Sequence, residues 1–448
     1  MDSGDTAWVL ASAALVLLMT PGLAFFYGGM VRAKSVLNML MMSFITIGIV
    51  AVLWTLFGFS VAFSTKGNGL FGGFDLVGMG EAMTQTTTIN GAEIKIPMLA
   101  FSMFQLMFAI ITPALVSGAI ADRAKFIGWS AFVVLWTSLV YFPVAHWVFS
   151  FGDLDGNGAG WLAARGVEDF AGGTAVHINA GAAGLALALV LGKRNGWPKA
   201  QFKPHSLPLV MLGAGLLWFG WFGFNAGSAL GANGLAALAF TNTMVATAAA
   251  LLGWVLVEKI RDGHPTSLGA ASGAVAGLVA ITPACAFIVP WAAVLLGLIA
   301  GAICALAVSL KYRFGFDDSL DVVGVHLVGG IVGCLYVGFF GTTRVEAAGG
   351  GGVNGLFYDG GLGLLGKQAL GAVSVLVYSF VMATIIGFVI DKTVGFRLDR
   401  EDEESGIDLV EHAETGYDLA PSTSTGVRAG ALVGASAGAV KDSAEVSA

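Results

Sequence analysis

The sequence predicts an all-α polytopic membrane protein of eleven transmembrane helices, and three observations predict it. Of its 448 residues, 56% are apolar and only 11% are Asp, Glu, Lys or Arg, against about 25% charged in a soluble domain. A chain so poor in charge cannot clothe a water-facing surface, and its mean hydropathy of +0.82 agrees. The apolar residues also fall into runs of membrane-spanning length. Finally, Lys and Arg alternate between dense and sparse from one connecting loop to the next. The 65 glycines lie inside apolar stretches without a collagen period, which suits close helix packing in lipid.

The first run, about residues 8 to 31, follows an acidic start, Met1-Asp-Ser-Gly-Asp5. A secretory signal carries positive charge there, so this run is expected to be a retained span rather than a cleaved signal. At 1.5 Å per residue it crosses a core of ~30 Å. The remaining runs lie at about 36–63, 96–120, 126–149, 170–192, 206–228, 236–257, 267–282, 286–310, 322–340 and 367–390. The eighth is short and Gly-rich. Loops on one side, with the tail, hold fifteen Lys and Arg residues, among them Arg32, Arg123, Arg194, Lys311 and Arg397; the other side has five, Lys66, Lys95, Arg165, Arg344 and Lys367. Positive residues stay cytoplasmic, so the N-terminus is expected outside and the C-terminus in the cytoplasm.

Eleven spans accommodate two five-helix halves of opposite orientation plus a closing helix, an arrangement that places a transport site at the midplane. Matching marks support it. Asp169-Phe-Ala-Gly-Gly-Thr-Ala-Val-His177 opens the fifth span and Asp321-Val-Val-Gly-Val-His326 the tenth, each with an Asp at the water edge before a His in a Gly-rich helix. Three regions follow: a membrane domain over 1–391, a charged C-terminal segment over 392–420, and a Ser/Thr/Ala/Gly-rich stretch over 421–448. That last stretch lacks the apolar content to bury a core and reads as disordered. Of the net charge of −7, residues from Lys392 onward carry −6, leaving −1 on the first 391. Nucleic acid is not a partner for such a chain.

Six histidines sort by position. His205, His264 and His412 fall in cytoplasmic segments and read as solvated, and His146 sits at the outer end of the fourth span in a structural, interfacial place. His177 and His326 differ, because an ionisable residue inside a lipid-embedded bundle is costly and points to function. Two neutral imidazoles in an apolar lumen exchange protons and hydrogen bonds with a small polar solute, while a bare metal ion lacks the oxygens it needs. Aromatic residues cluster at Phe104-Gln-Leu-Met-Phe108 and at Trp218-Phe-Gly-Trp-Phe-Gly-Phe224, the latter running on to Ser228. Rings near the Ser228 hydroxyl would hold a small cation by ~0.5–2 kcal/mol per contact. Asp169 suits an N-cap and would also lower the potential at the entrance. Cys285, Cys304 and Cys334 lie in apolar runs without ligand spacing and read as buried apolar side chains, not disulfides or metal ligands. No phosphate-binding loop, Ser-His-Asp set or HExxH occurs, so neither an ATP-driven pump nor an intramembrane protease, nor any enzyme, cofactor or metal, is expected.

These stretches resemble the ammonium transporter family (Amt/Mep/Rh), in its bacterial Amt branch. The resemblance runs from Pro21-Gly-Leu-Ala-Phe-Phe-Tyr-Gly-Gly29, through Asp169-Phe-Ala-Gly-Gly-Thr-Ala-Val-His-Ile-Asn179 and Gly220-Trp-Phe-Gly-Phe-Asn-Ala-Gly-Ser228, to Asp321-Val-Val-Gly-Val-His326, over about residues 7 to 420. It implies a homotrimer in the plasma (inner) membrane, with one pore per subunit conducting ammonium or methylammonium. Carried over by motif, the outer recruitment site falls on Phe104 and Ser228, the stacked gate on Phe108 and Phe224, and the twin histidines on His177 and His326. Asp169 matches the family's essential acid, and Trp221, Thr282 and Tyr141 match positions along the path. Where the family commonly has an outer Trp, this chain has Phe149, which weakens a cation-π contact and lacks the indole N–H. Gly406-Ile-Asp-Leu409 and Glu414-Thr-Gly-Tyr417 resemble the family's folded C-terminal segment, and the family is regulated by PII signal proteins on the cytoplasmic face. Two other functions fit the resemblance: an ammonium sensor acting through a cytoplasmic partner, and an Rh-like channel for neutral gases. The aromatic cluster with Ser228 favours a cation-capturing entrance, and the absence of a kinase or cyclase stretch within the 448 residues counts against a dedicated sensor.

Overall fold

The structure, a computed structural model, describes residues 1–89, 92–153, 155–200 and 202–417. The segment 421–448 and the last residues of 392–420 lie outside the described residues. Helix dominates because the apolar runs must satisfy their backbone groups internally when no water is at hand. Among the described residues, ten helices are long and apolar enough to cross a membrane: α1 Ser3–Met30, α2 Ala33–Phe63, α3 Met98–Ile120, α4 Phe126–Phe149, α5 Gly173–Leu191, α6 Leu207–Gly227, α7 Gly234–Arg261, α9 Pro290–Phe314, α10 Val323–Phe340 and α11 Gly363–Thr393. Between α7 and α9 lies a shorter apolar helix, α8, Ser267–Ile281. Each sits within a few residues of an apolar run in the sequence. A short hairpin, β1 Thr86–Ile89 antiparallel to β2 Ala92–Pro97, precedes α3.

Local signals set the helix starts. Asp2 accepts from Asp5 N at 2.9 Å to cap α1, and Ser206, Asn233 and Thr266 cap α6, α7 and α8 with their side-chain oxygens. Helix α1 packs along α6, α7 packs between α8 and α9, and α5 lies against α11. Small residues permit these approaches. At Gly330 of α10 an added Cβ would stand 3.1 Å from Gly173 O and 3.2 Å from His177 Cβ, so the two histidine-bearing helices meet on a glycine.

Two short helices, α12 Arg400–Ser405 and α13 Ile407–His412, close the end of the molecule where the Lys- and Arg-rich loops gather. Gly406 between them has φ +131, a conformation that L side chains rarely adopt. The reversal drives Ile407 to complete burial. It also brings Asp408 over the start of α2, where its oxygens accept from Leu37 N at 2.9 Å and Asn38 N at 2.8 Å. Glu411 accepts from Phe126 N at 2.8 Å and so caps α4. His412, expected to be solvated, instead pairs with Asn38 Oδ1 at 3.0 Å and packs edge-on against Phe126. Deeper in the same face, Arg194 forks onto Asp317 at 2.8 Å and reaches Asp122 at 3.4 Å.

Candidate functional site

Four of the expected residues, Phe108, Phe149, Asp169 and Ser228, line one cavity. A cavity of about 490 Å³ on the face opposite the tail is lined by Gln105, Phe108, Phe149, Glu168, Asp169 and Ser228, with Lys367 at its side. Ser228 donates its hydroxyl to Phe224 O at 2.8 Å, leaving an oxygen lone pair free to accept. Phe104 is fully buried and stands edge-on behind Phe108, with ring centroids 4.9 Å apart, so it braces the floor rather than lining the cavity. Trp147, two residues before Phe149, does not line this cavity. Its indole donates to Leu70 O at 2.8 Å and its ring packs on Trp161 and Tyr378.

Phe108 and Phe224 close the floor, their centroids 4.2 Å apart. Beyond them His177 stacks on Trp221 at 5.4 Å and on His326 at 5.4 Å. The Nδ1 atoms of the two histidines stand 3.3 Å apart, so one ring donates and the other accepts. The Nε2 of His177 is buried and has no protein partner among the described residues. Trp221 donates to Thr282 Oγ1 at 2.9 Å, which fixes the indole beside His177. Tyr141 is buried, with its ring edge against Phe142. On the tail side, His326 forms part of a smaller cavity of about 150 Å³ with Tyr27, Glu258 and Asp321. Two cavities thus lie on either side of a close, tilted phenylalanine pair, its planes 32° apart, and a histidine pair.

Both histidines sit in widened π-type turns, Gly173–Ile178 and Val323–Leu327. Such turns re-aim a side chain out of the regular helical register and concentrate at functional sites. The sequence gives no signal for them. Asp169 anchors the first: Oδ1 accepts from Gly172 N at 2.8 Å and Gly173 N at 2.6 Å, Oδ2 accepts from Thr174 N at 2.8 Å and Ala175 N at 3.3 Å, and the Thr174 hydroxyl also donates to it.

At the second turn the structure corrects the sequence reading. The counterpart of Asp169 is Asp318, not Asp321. Asp318 accepts from Val322 N at 3.1 Å and Val323 N at 2.7 Å and is almost wholly buried. Asp321 is partly exposed, has φ +63 and pairs with Lys311 at 2.8 Å. Each capping carboxylate stands eight residues before its histidine, and that equal spacing was the available signal. Burial first, and then the nearby Asp321, raise the Asp318 carboxyl to about 6. His146, in the last turn of α4, is fully buried, its Nδ1 3.0 Å from Ala62 O and its Nε2 2.7 Å from Asn68 O, a structural place. The three cysteines are free and buried.

A polytopic helical bundle with two facing cavities separated by an aromatic and histidine constriction defines a multi-pass membrane protein built around a solute path. The chain belongs to the ammonium transporter family, whose model matches residues 7–417 under the description Ammonium Transporter Family. It is 57% identical over 437 residues to an ammonium transporter of Mycobacterium tuberculosis (strain ATCC 25618 / H37Rv), covering 94% of this chain and 91% of that protein. It is 46% identical to an ammonium transporter of Bacillus subtilis (strain 168), covering 93% and 99%. Among solved structures, the crystal structure of Candida albicans Mep2 superposes with a TM-score of 0.83 at 32% identity, covering 90% of this chain and 88% of that one.

Proposed function

We propose that this protein conducts ammonium nitrogen across the plasma membrane, through one pore in each subunit of a homotrimer. The observation that carries the mechanism is the buried His177–His326 pair beneath Phe108 and Phe224, with Nδ1 atoms 3.3 Å apart. Ammonium is first held in the wide cavity by Ser228 and the rings of Phe108 and Phe149, with Phe104 packed behind Phe108 and Trp221 against Phe224. The apolar constriction then excludes a cation that keeps its charge. K+ and ammonium are similar in size and charge, so size cannot sort them. Ammonium, unlike K+, sheds a proton, and its nitrogen passes as a neutral molecule hydrogen-bonded to the histidines. Asp169 holds the turn that aims His177, Thr282 fixes the Trp221 indole beside it, and Tyr141, packed on Phe142, belongs to the buried wall of the path.

The equal spacing of Asp169 to His177 and Asp318 to His326 supports a five-plus-five inverted repeat, closed by α11 as the eleventh span. The gathering of basic loops at the tail face supports an external N-terminus and a cytoplasmic C-terminus. Residues 1–391 then form the membrane domain and 392–420 a regulatory segment that caps α2 and α4, on the face a PII protein would meet. Proteoliposomes test the transport reading: ammonium and methylammonium should enter while K+ stays out. K+ passing as readily as ammonium would refute it.

A further inference from the structure

Glu168 has no part in the mechanism above, yet it lines the wide cavity beside Asp169. Its backbone is clamped by the buried Gln368, which accepts from Glu168 N at 2.8 Å and donates to Glu168 O at 2.6 Å. Its carboxylate is poorly satisfied: Oε1 accepts from Val353 N at 3.1 Å, while Oε2 is buried with no hydrogen-bond partner among the described residues. No cation forms an ion pair with it among the described residues. The charged groups of the cavity wall are Glu168, Asp169 and Lys367. The carboxylate of Asp169 is taken up by the α5 start, and the nearby arginines are engaged elsewhere, Arg165 over Trp161 and Arg344 over Tyr358.

We propose that Glu168 is a second cation anchor in the outer cavity, one for which protons compete, so that external pH sets how tightly ammonium is captured. The inference rests on the transport reading above and adds to it a specificity-determining residue for the capture step. With Glu168 ionised the wall carries one net negative charge, and with Glu168 protonated it carries none. A monovalent cation in the cavity compensates the carboxylate that the protein leaves half-satisfied, and a proton does the same. The two therefore displace one another, and linkage makes the effect reciprocal. Burial raises the Glu168 carboxyl to about 7, against the Val353 N–H and Lys367, which places the exchange in the range where external pH varies.

The test is methylammonium uptake by the full-length protein in proteoliposomes, with the half-saturation concentration and the maximal rate followed separately at external pH 6 to 8. In the wild type, half-saturation should fall about fivefold or more between those limits. Glu168→Gln keeps the acceptor for Val353 N and should flatten that trend to less than about twofold, with half-saturation fixed near the wild-type value at pH 6. Lys367→Gln should shift the wild-type midpoint to higher pH and tighten capture above it, a gain that damage to the fold would not produce. A wild type that moves no methylammonium refutes the transport reading itself. Where the wild type transports, a Glu168→Gln profile that superposes on it, or a Lys367→Gln midpoint that stays or falls, overturns the role given to Glu168.

Discussion

The two histidine helices begin with the same device under different loads. Asp169 receives four backbone N–H groups and a hydroxyl, the full capacity of its two oxygens. Asp318 receives two N–H groups and shares its surroundings with Asp321 and Lys311. One carboxylate is a saturated mechanical anchor for a widened turn. The other remains titratable. The difference matters because each turn aims one member of the His177–His326 pair, so a fault at either start misplaces the pair.

Removing the better-satisfied anchor should have the largest effect. Asp169→Ala orphans four buried N–H groups, and at roughly 1–3 kcal/mol for each one left unpaired it should abolish transport and lower the thermal stability sharply. Asp318→Ala orphans two and should cost about half as much. Paired unfolding scans in detergent, with uptake assays, check the order, and equal losses would erase the distinction between the two starts.

A smaller, pH-dependent effect sharpens it. Asp318 binds its proton more tightly in the fold than an ordinary carboxyl does, so the proton favours the folded state. Its contribution is complete below the ordinary value of 3.8 and is lost as pH rises through about 6. The melting temperature of the wild type relative to Asp318→Asn should therefore fall between pH 4 and 6.5, and a difference that stays constant would show that Asp318 is ionised throughout.

The tail repeats the capping device at two more helix starts, through Asp408 on α2 and Glu411 on α4. Gly406→Asp places a side chain at φ +131, where its Cβ would stand 3.1 Å from Lys34 Cβ. It should reduce uptake several-fold at equal membrane abundance without touching a pore residue. Deleting residues 421–448 should be nearly silent, since that composition lacks apolar content to dock. Normal uptake by the Gly406 variant would confine the device to the pore.

Much of this was legible in the sequence because lipid imposes a simple rule: long apolar runs become helices, and ionisable residues inside them stand out. Hence α4 begins and ends where its apolar run does, at Phe126 and Phe149, and His177 and His326 were visible as exceptions. Partner choice by short polar side chains was not legible. Asp321, closer to His326, reads as the match of Asp169, and the equal eight-residue spacing that singles out Asp318 gains its meaning only once backbone geometry shows which carboxylate caps. His412 looked solvated because nothing local announces Asn38, 374 residues away in the chain. The partners of His146 were hidden in the same way, because its two carbonyls come from the last turn of α2 and the loop after it. The π-type turns leave no compositional trace.

The most direct measurement is a comparison of ammonium and K+ flux in proteoliposomes holding the wild type, His177→Ala or His326→Ala. Each substitution removes one member of the buried Nδ1–Nδ1 pair and opens space that water fills. Both variants are expected to fold, since neither ring holds a backbone group among the described residues, and both should lose ammonium flux or admit K+. Unchanged ammonium flux with K+ still excluded in both variants would contradict the claim that this pair carries selective conduction.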